Sequence, residues 1–255
     1  TLIKETYMQD FRNYESQGRK FYKSLSEKDL NIIRKYVPEP KVIMEFGSCD
    51  GGDGIYLKNN FPKAEVYSIE ACPERFKIVS QLEEPFGLHV SNYAVSDVNG
   101  VATFYQSTDQ NQMDSDGQYS GQGSLNKKTD LYKNSYPNIT ELEPISVNTI
   151  TVKTFCVNNK INHVDYMHID VEGAELKVIS GFGDMRPKLI KVEVVLGKDM
   201  YGEFAYDQEE LKDTLTDMNY TQVAWDGVIK RERFDPLLPG FKETVVVTDR
   251  FYLHS

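Results

Sequence analysis

The acidic residues of this chain fall into patterns that chemistry can use. The stretch HIDVEGAE at 168–175 sets Asp170, Glu172 and Glu175 around Gly173. Three carboxylates so close repel one another at neutral pH unless a cation or hydrogen-bond donors come between them. Glu193 interrupts the apolar run VEVV at 192–195. A carboxylate there is costly unless it is paired, metal-bound or at a cavity. Asp170 and Glu193, with Glu172 in support, are therefore the candidates for taking a proton from a hydroxyl or orienting its oxygen. Their oxygens would also suit a hard divalent cation, Mg²⁺ or Ca²⁺, held by Asp170 and Glu193. Glu175 is expected to face solvent or a lysine on its own helix. Glu70 ends a short strand, where a carboxylate can accept both hydroxyls of a ribose.

The second pattern is glycine. In KVIMEFGSCDGGDG at 41–54, an apolar strand runs into Gly47, Gly51, Gly52 and Gly54 and then into a helix. A strand, a Gly-rich turn and a helix N-terminus make a binding place for nucleotide-like cofactors in α/β proteins. No register gives the dinucleotide spacing G-x-G-x-x-G, which disfavours a nicotinamide dehydrogenase. Glu45-Phe46-Gly47-Ser48-Cys49-Asp50-Gly51 instead fits E-x-G-x-x-x-G. The carboxylates of Asp50 and Asp53 would repel a pyrophosphate but tolerate a sulfonium and an ammonium group. This stretch looks like the first motif of class I S-adenosylmethionine (SAM) methyltransferases.

Other reactive residues organise less. The four histidines give no pair at metal-ligand spacing, and His168 reads as a core or edge histidine whose hydrogen bonds are met locally. Ser124 lacks a nucleophile-elbow context. Trp225, followed by Asp226-Gly227, reads as a turn anchor. Cys49, Cys72 and Cys156 form neither a disulfide framework nor a zinc motif, and a reducing cytoplasm is the expected compartment.

The elements that must position these residues alternate. Strands are expected at 42–46, 65–70, 88–95, 145–150, 163–170 and 188–196, with helices at 55–60, 73–79, 151–159, 174–179 and 207–218. A helix start is read at Ser26 and Asp29. Residues 101–105 return as a hairpin strand after the turn at Asp97-Val98-Asn99-Gly100. Residues 220–224 and 244–248 pair around an excursion with Pro236, Pro239 and Gly240. The pattern implies an α/β fold: one doubly wound, mostly parallel sheet with an antiparallel C-terminal hairpin at its edge. Residues 1–40 would form an N-terminal arm or lid and 41–255 the catalytic domain, interrupted by a polar loop at 107–140.

Composition narrows the partners. A net charge of −10 over 255 residues argues against a broad phosphate-binding surface, so nucleic acid is disfavoured. No apolar run reaches the ~20 residues of a membrane span. Because the chain starts at Thr1, a removed leader or a larger parent protein stays open.

Taken in order, EFGSCDG at 45–51, SIEACP at 68–73, NYAVSDVNGVATF at 92–104, Ser124-Leu125, SVNTITV at 146–152, HIDVEGAELKVISG at 168–181 and VEVV at 192–195 resemble FkbM-type SAM-dependent methyltransferases. Glu45, Cys49 and His168 depart from the family's commonest residues. The resemblance implies a class I, Rossmann-like methyltransferase fold and O-methylation of a small-molecule hydroxyl, commonly on a sugar or secondary metabolite. It also implies SAM contacts at Glu45, Gly47, Gly51, Glu70 and Ala94-Val95-Ser96, with Ser124 reaching the cofactor. Phe46, Ser48, Cys49, Asp50, Ala71 and Asp170 complete the expected cofactor site. The alternatives are an RNA 2′-O-methyltransferase using Asp170, Lys198 and Glu243, and a binding module on the same fold that has lost catalysis.

Overall fold

Strand β1 (Val42–Phe46) sends Ile43 and Glu45 to one face of a sheet and Met44 and Phe46 to the other, and all four are buried. Burial on both faces makes it a central strand, flanked in parallel by β2 (Glu65–Ile69) and β9 (Tyr166–Ile169). The computed structural model describes residues 21, 23–109, 121–195, 200–202, 206, 208–234 and 242–255.

Seven strands form the main sheet, in the order β11 (Tyr220–Phe234), β12 (Lys242–His254), β10 (Leu189–Val195), β9, β1, β2, β3 (Leu88–Ser91). Neighbours from β10 to β3 are parallel, while β12 runs antiparallel to both β10 and β11. The chain moves outward from β1 through β2 to β3 and then crosses to β9, so strand order reverses between β1 and β9. That reversal opens a crevice at the strands' carboxyl ends.

Helices cover both faces. One carries α1 (Glu27–Tyr36), α2 (Gly52–Asn60) and α3 (Pro73–Val79), whose Leu30, Ile33, Ile55, Leu57 and Val79 pack on Ile43, Val66 and Tyr166. The short α4 (Glu83–Phe86) adds Phe86. The other carries α6 (Val152–Asn158), α7 (Glu175–Ser180) and α8 (Gln208–Asp217), joined through Phe155, Val178, Leu211 and Leu215 to Met44, Phe46 and Ile190. Burying one such side chain contributes about 2 kcal/mol. Helix α1 starts as the sequence predicts: Ser26 and Asp29 close a reciprocal capping box. Helix α3 takes Pro73 in its first turn.

Four expectations change. Residues 100–104 do not pair back on 94–95. Strand β8 (Ile145–Ile150) comes between β4 (Ala94–Val95) and β5 (Gly100–Phe104), making a separate three-stranded sheet. Local turn chemistry marked the reversal, but the partner lay forty residues on. Residues 107–109 are a strand, β6, paired with β7 (Ile139–Glu141), and α5 (Asp130–Ser135) precedes β7, so the 107–140 segment is partly ordered structure. Trp225 is no turn anchor; it lies within β11, 60% exposed. The closing pair is also much longer than ten residues. The expected cap Asp207 and the 235–241 excursion lie outside the described residues, as do 1–20, 110–120 and 196–199. Among the described residues, no helix is long and apolar enough to cross a membrane.

Candidate active site

The crevice lies at the carboxyl ends of the strands, where the sequence reading gathers its candidate residues. Phe46, Gly47 and Cys49 of the glycine-rich turn line it, with Glu70 and Ala71 after β2, Ala94 and Val95 of β4, and Asp170 after β9. Gly47 holds a positive φ of 83°, and a Cβ there would overlap the Asp170 carbonyl oxygen. Only glycine lets the ends of β1 and β9 approach this closely. Gly51 repeats the left-handed conformation at the N-cap of α2.

Glu70 organises the turn. Its Oε2 accepts from the Cys49 amide at 2.9 Å and its Oε1 from the Cys72 amide at 2.7 Å. The Ala71 amide also reaches the carboxylate. Burial pushes its carboxyl up to about 7, against the pull of those amides and of Arg75. Asn92 sustains the following loop by donating to the Glu70 and Ala71 carbonyls. Sequence reading named the carboxylate and the 92–96 loop, but gave no role to the Asn92 side chain or to the lining residues Tyr93, Phe104, Gln106 and Arg75. Tyr93 and Phe104 flank residues already singled out; Gln106 and Arg75 carried no spacing signal.

The second feature is a carboxylate trio. Asp170, Glu172 and Glu193 each bring an oxygen within 4.8 Å of the others'. Burial and mutual repulsion hold Asp170 and Glu193 well above the usual carboxylate range. Glu172 has a positive φ of 56°. It is held from two sides: the Tyr201 hydroxyl donates to its Oε2 at 2.7 Å, and Ser124 Oγ donates to its carbonyl at 2.6 Å. Tyr201 packs on Tyr132 with ring centroids 5.4 Å apart, and a Cβ at Gly173 would run into the Tyr201 ring.

Several expected residues sit elsewhere. Glu45 points to the α1–α2 face, away from the crevice lining, and accepts from Ser68 Oγ at 2.7 Å. Ser48, Asp50, Gly51 and Ser96 support the turn and loop rather than line the crevice. Ser124 is fully buried and spends its hydroxyl on the 172 carbonyl and the Asn126 amide. Glu175 does not face solvent: it is fully buried and accepts from the Val171 and Gly173 amides. Its acid pattern read as a solvated helix face, but the turn's orphan amides draw it inward. His168 is buried as expected, yet neither ring nitrogen has a hydrogen-bond partner.

A switch-point crevice over a glycine turn, with a buried carboxylate just after β2 and a seven-stranded sheet ending in a β11–β12 hairpin, defines a class I methyltransferase fold. The chain belongs to the FkbM family: residues 45–221 match the family model described as the methyltransferase FkbM domain. It is 28% identical over 157 residues to the 2-O-methyltransferase NoeI of Sinorhizobium fredii, a match spanning 60% of each chain. It is 25% identical over 210 residues to Methyltransferase 1 of Beauveria bassiana, covering 77% of this chain and 82% of that one. Among solved structures, an O-methyltransferase from Bacillus cereus in complex with SAH superposes with a TM-score of 0.45 at 10% identity, covering 98% of this chain and 90% of that one.

Proposed function

We propose that the protein methylates a hydroxyl of a small molecule, a saccharide or secondary metabolite, with SAM as donor. The observation that carries this reading is the placement of Asp170: it lines the crevice beside Gly47 and shares the carboxylate trio with Glu172 and Glu193. The name of the NoeI relative supports transfer to oxygen.

SAM supplies an electrophilic methyl on a sulfonium. The residues present fit it: Glu70 lines the crevice as an acceptor for ribose hydroxyls, Ala94 and Val95 give an apolar wall for a base, and the 47–51 turn leaves room for backbone contact. Holding an acceptor hydroxyl in line supplies much of the rate. Burial and its acidic neighbours raise the Asp170 carboxyl, which makes it a stronger base for the hydroxyl proton than an ordinary carboxylate. Glu193 shares that proton's field, and Tyr201 fixes Glu172.

A second reading of the trio rests on its 4.8 Å convergence: Asp170, Glu172 and Glu193 would hold Mg²⁺ or Ca²⁺, which would orient the acceptor oxygen. The three free cysteines fit a reducing cytoplasm. An RNA 2′-O-methyltransferase reading finds less support, since the net charge is −10.

Calorimetric titration with SAM, S-adenosylhomocysteine and NADH tests the donor. Binding of the first two with NADH silent supports it, and silence from all three refutes it. Saccharide and secondary-metabolite hydroxyl acceptors are then screened with and without Mg²⁺.

A further inference from the structure

We propose that Glu45, Asp53 and His168 form a site for one divalent transition-metal ion of the Zn²⁺ or Mn²⁺ type, buried under the glycine-rich turn and separate from the carboxylate trio. Ser68, Glu45, His168 and Lys191 lie side by side on β2, β1, β9 and β10, making a polar row across the α1–α2 face of the sheet. Helix α2 lowers Asp53 onto this row. Glu45, Asp53 and His168 are 2%, 7% and 2% exposed, and a ligating atom of each lies within 4.8 Å of the others'.

Two facts separate this cluster from an ordinary buried hydrogen-bond network. Neither Nδ1 nor Nε2 of His168 has a partner, although both are out of reach of solvent. An imidazole left so costs stability, because burial strips its water without replacement. The charges also fail to balance. Among the described residues, Glu45, Asp53 and Asp29 are buried here with one ammonium, that of Lys191, whose Nζ lies 3.0 Å from Asp249 Oδ2. An ion bonded to the imidazole and both carboxylates would answer both facts.

The donor chemistry fits. One imidazole with two carboxylates suits Zn²⁺ and Mn²⁺ better than Mg²⁺ or Ca²⁺, which favour oxygen alone. Bonds of about 2.1 Å would draw the ligand atoms to within roughly 3.4 Å of one another around a tetrahedral ion, a modest contraction. The outer contacts that orient metal ligands are in place: Ser68 Oγ on Glu45, and Ser24 Oγ with the Ser24 and Leu25 amides on Asp53. Such an ion would tie β1, β9 and α2 together two residues before both Gly47 and Asp170. The proposal does not depend on the methyl-transfer reading.

The test is metal analysis of the full chain produced with Zn²⁺ or Mn²⁺ and dialysed against a weak chelator. About one equivalent is expected in the wild type and in Asp170→Asn, falling at least tenfold in His168→Gln. Pulsed EPR on the Mn²⁺-loaded wild type needs no variant: a coupled ¹⁴N is expected for His168, and an all-oxygen site would show none. Metal-free protein whose melting temperature ignores equimolar Zn²⁺ and Mn²⁺ would overturn the proposal. So would an ion retained in His168→Gln but lost in Asp170→Asn, or a spectrum without nitrogen coupling.

Discussion

The α-carbon of Gly47 packs against the carbonyl of Asp170, so close that no side chain fits between the strand ends that carry them. This contact makes the cofactor turn and the proposed base one mechanical unit. Gly47→Ala meets both a positive φ and a backbone carbonyl, and neither yields cheaply. We expect a loss of at least ~2 kcal/mol in unfolding free energy and loss of S-adenosylhomocysteine binding. Thermal melting and calorimetry check it; affinity kept within a few-fold would show that the turn tolerates the shift.

Glu70 should set the pH dependence of cofactor affinity. In the proposed binding mode ribose hydroxyls would donate to the ionised carboxylate, and burial pushes that carboxyl up to about 7 in the folded protein. Affinity should therefore weaken as pH falls below 7 and level off above it. Glu70→Gln should bind at least ~10-fold more weakly at pH 8, with a flat profile. Stability of the ligand-free protein runs the opposite way. Glu70's folded value exceeds its unfolded one, so its contribution is full at low pH and is lost as pH rises from 4.5 through about 7. Titrations from pH 5.5 to 8.5 with parallel melts separate the two.

Asp170→Asn keeps shape and removes the base. Turnover should fall ~100-fold or more while S-adenosylhomocysteine affinity stays within a few-fold. Full activity in the variant would remove Asp170 from the chemistry. Restoration by added Mg²⁺ would shift the assignment to the metal-binding reading of the trio.

Tyr201→Phe deletes the hydroxyl that holds Glu172 and leaves the ring packed on Tyr132. The lost bond is to a carboxylate, so about 1.5–3 kcal/mol is at stake, spread between stability and turnover. Acceptor kinetics should suffer and cofactor binding should not. Equal weakening of both would place Tyr201 in general packing.

Asp53 anchors the N-terminal segment through three hydrogen bonds from Ser24 and Leu25. Asp53→Ala should cost ~2–4 kcal/mol, as buried donors lose their acceptor. Limited proteolysis should then cut near residue 24 faster than in the wild type. An unchanged digestion pattern would show that Leu25 and Leu30 hold the segment unaided.

The sheet was legible because its strands carry continuous apolar runs: 42–46, 65–69 and 189–195 read almost to the residue. The crevice was legible because glycine spacing and a strand-end carboxylate are local signals. What failed was non-local. Nothing near Gly100 reveals that β8 rather than β4 takes its amides. Glu175 looked solvated because the amides it serves, at Val171 and Gly173, become accessible only once the turn forms. His168 is buried as its strand suggests, but without the satisfied hydrogen bonds. Glu45 fitted a cofactor motif by spacing, while strand alternation turned its side chain to the far face.

Strand β12 occupies an interior place, between β10 and β11, although it follows all the other described strands in sequence. During synthesis the crevice half of the sheet can assemble first, yet β10 keeps an open hydrogen-bonding edge until residues 242–254 emerge. The nascent protein thus passes through a sticky stage that ends only with this strand. A premature stop codon ahead of residue 242 would yield an aggregating product rather than a shortened enzyme.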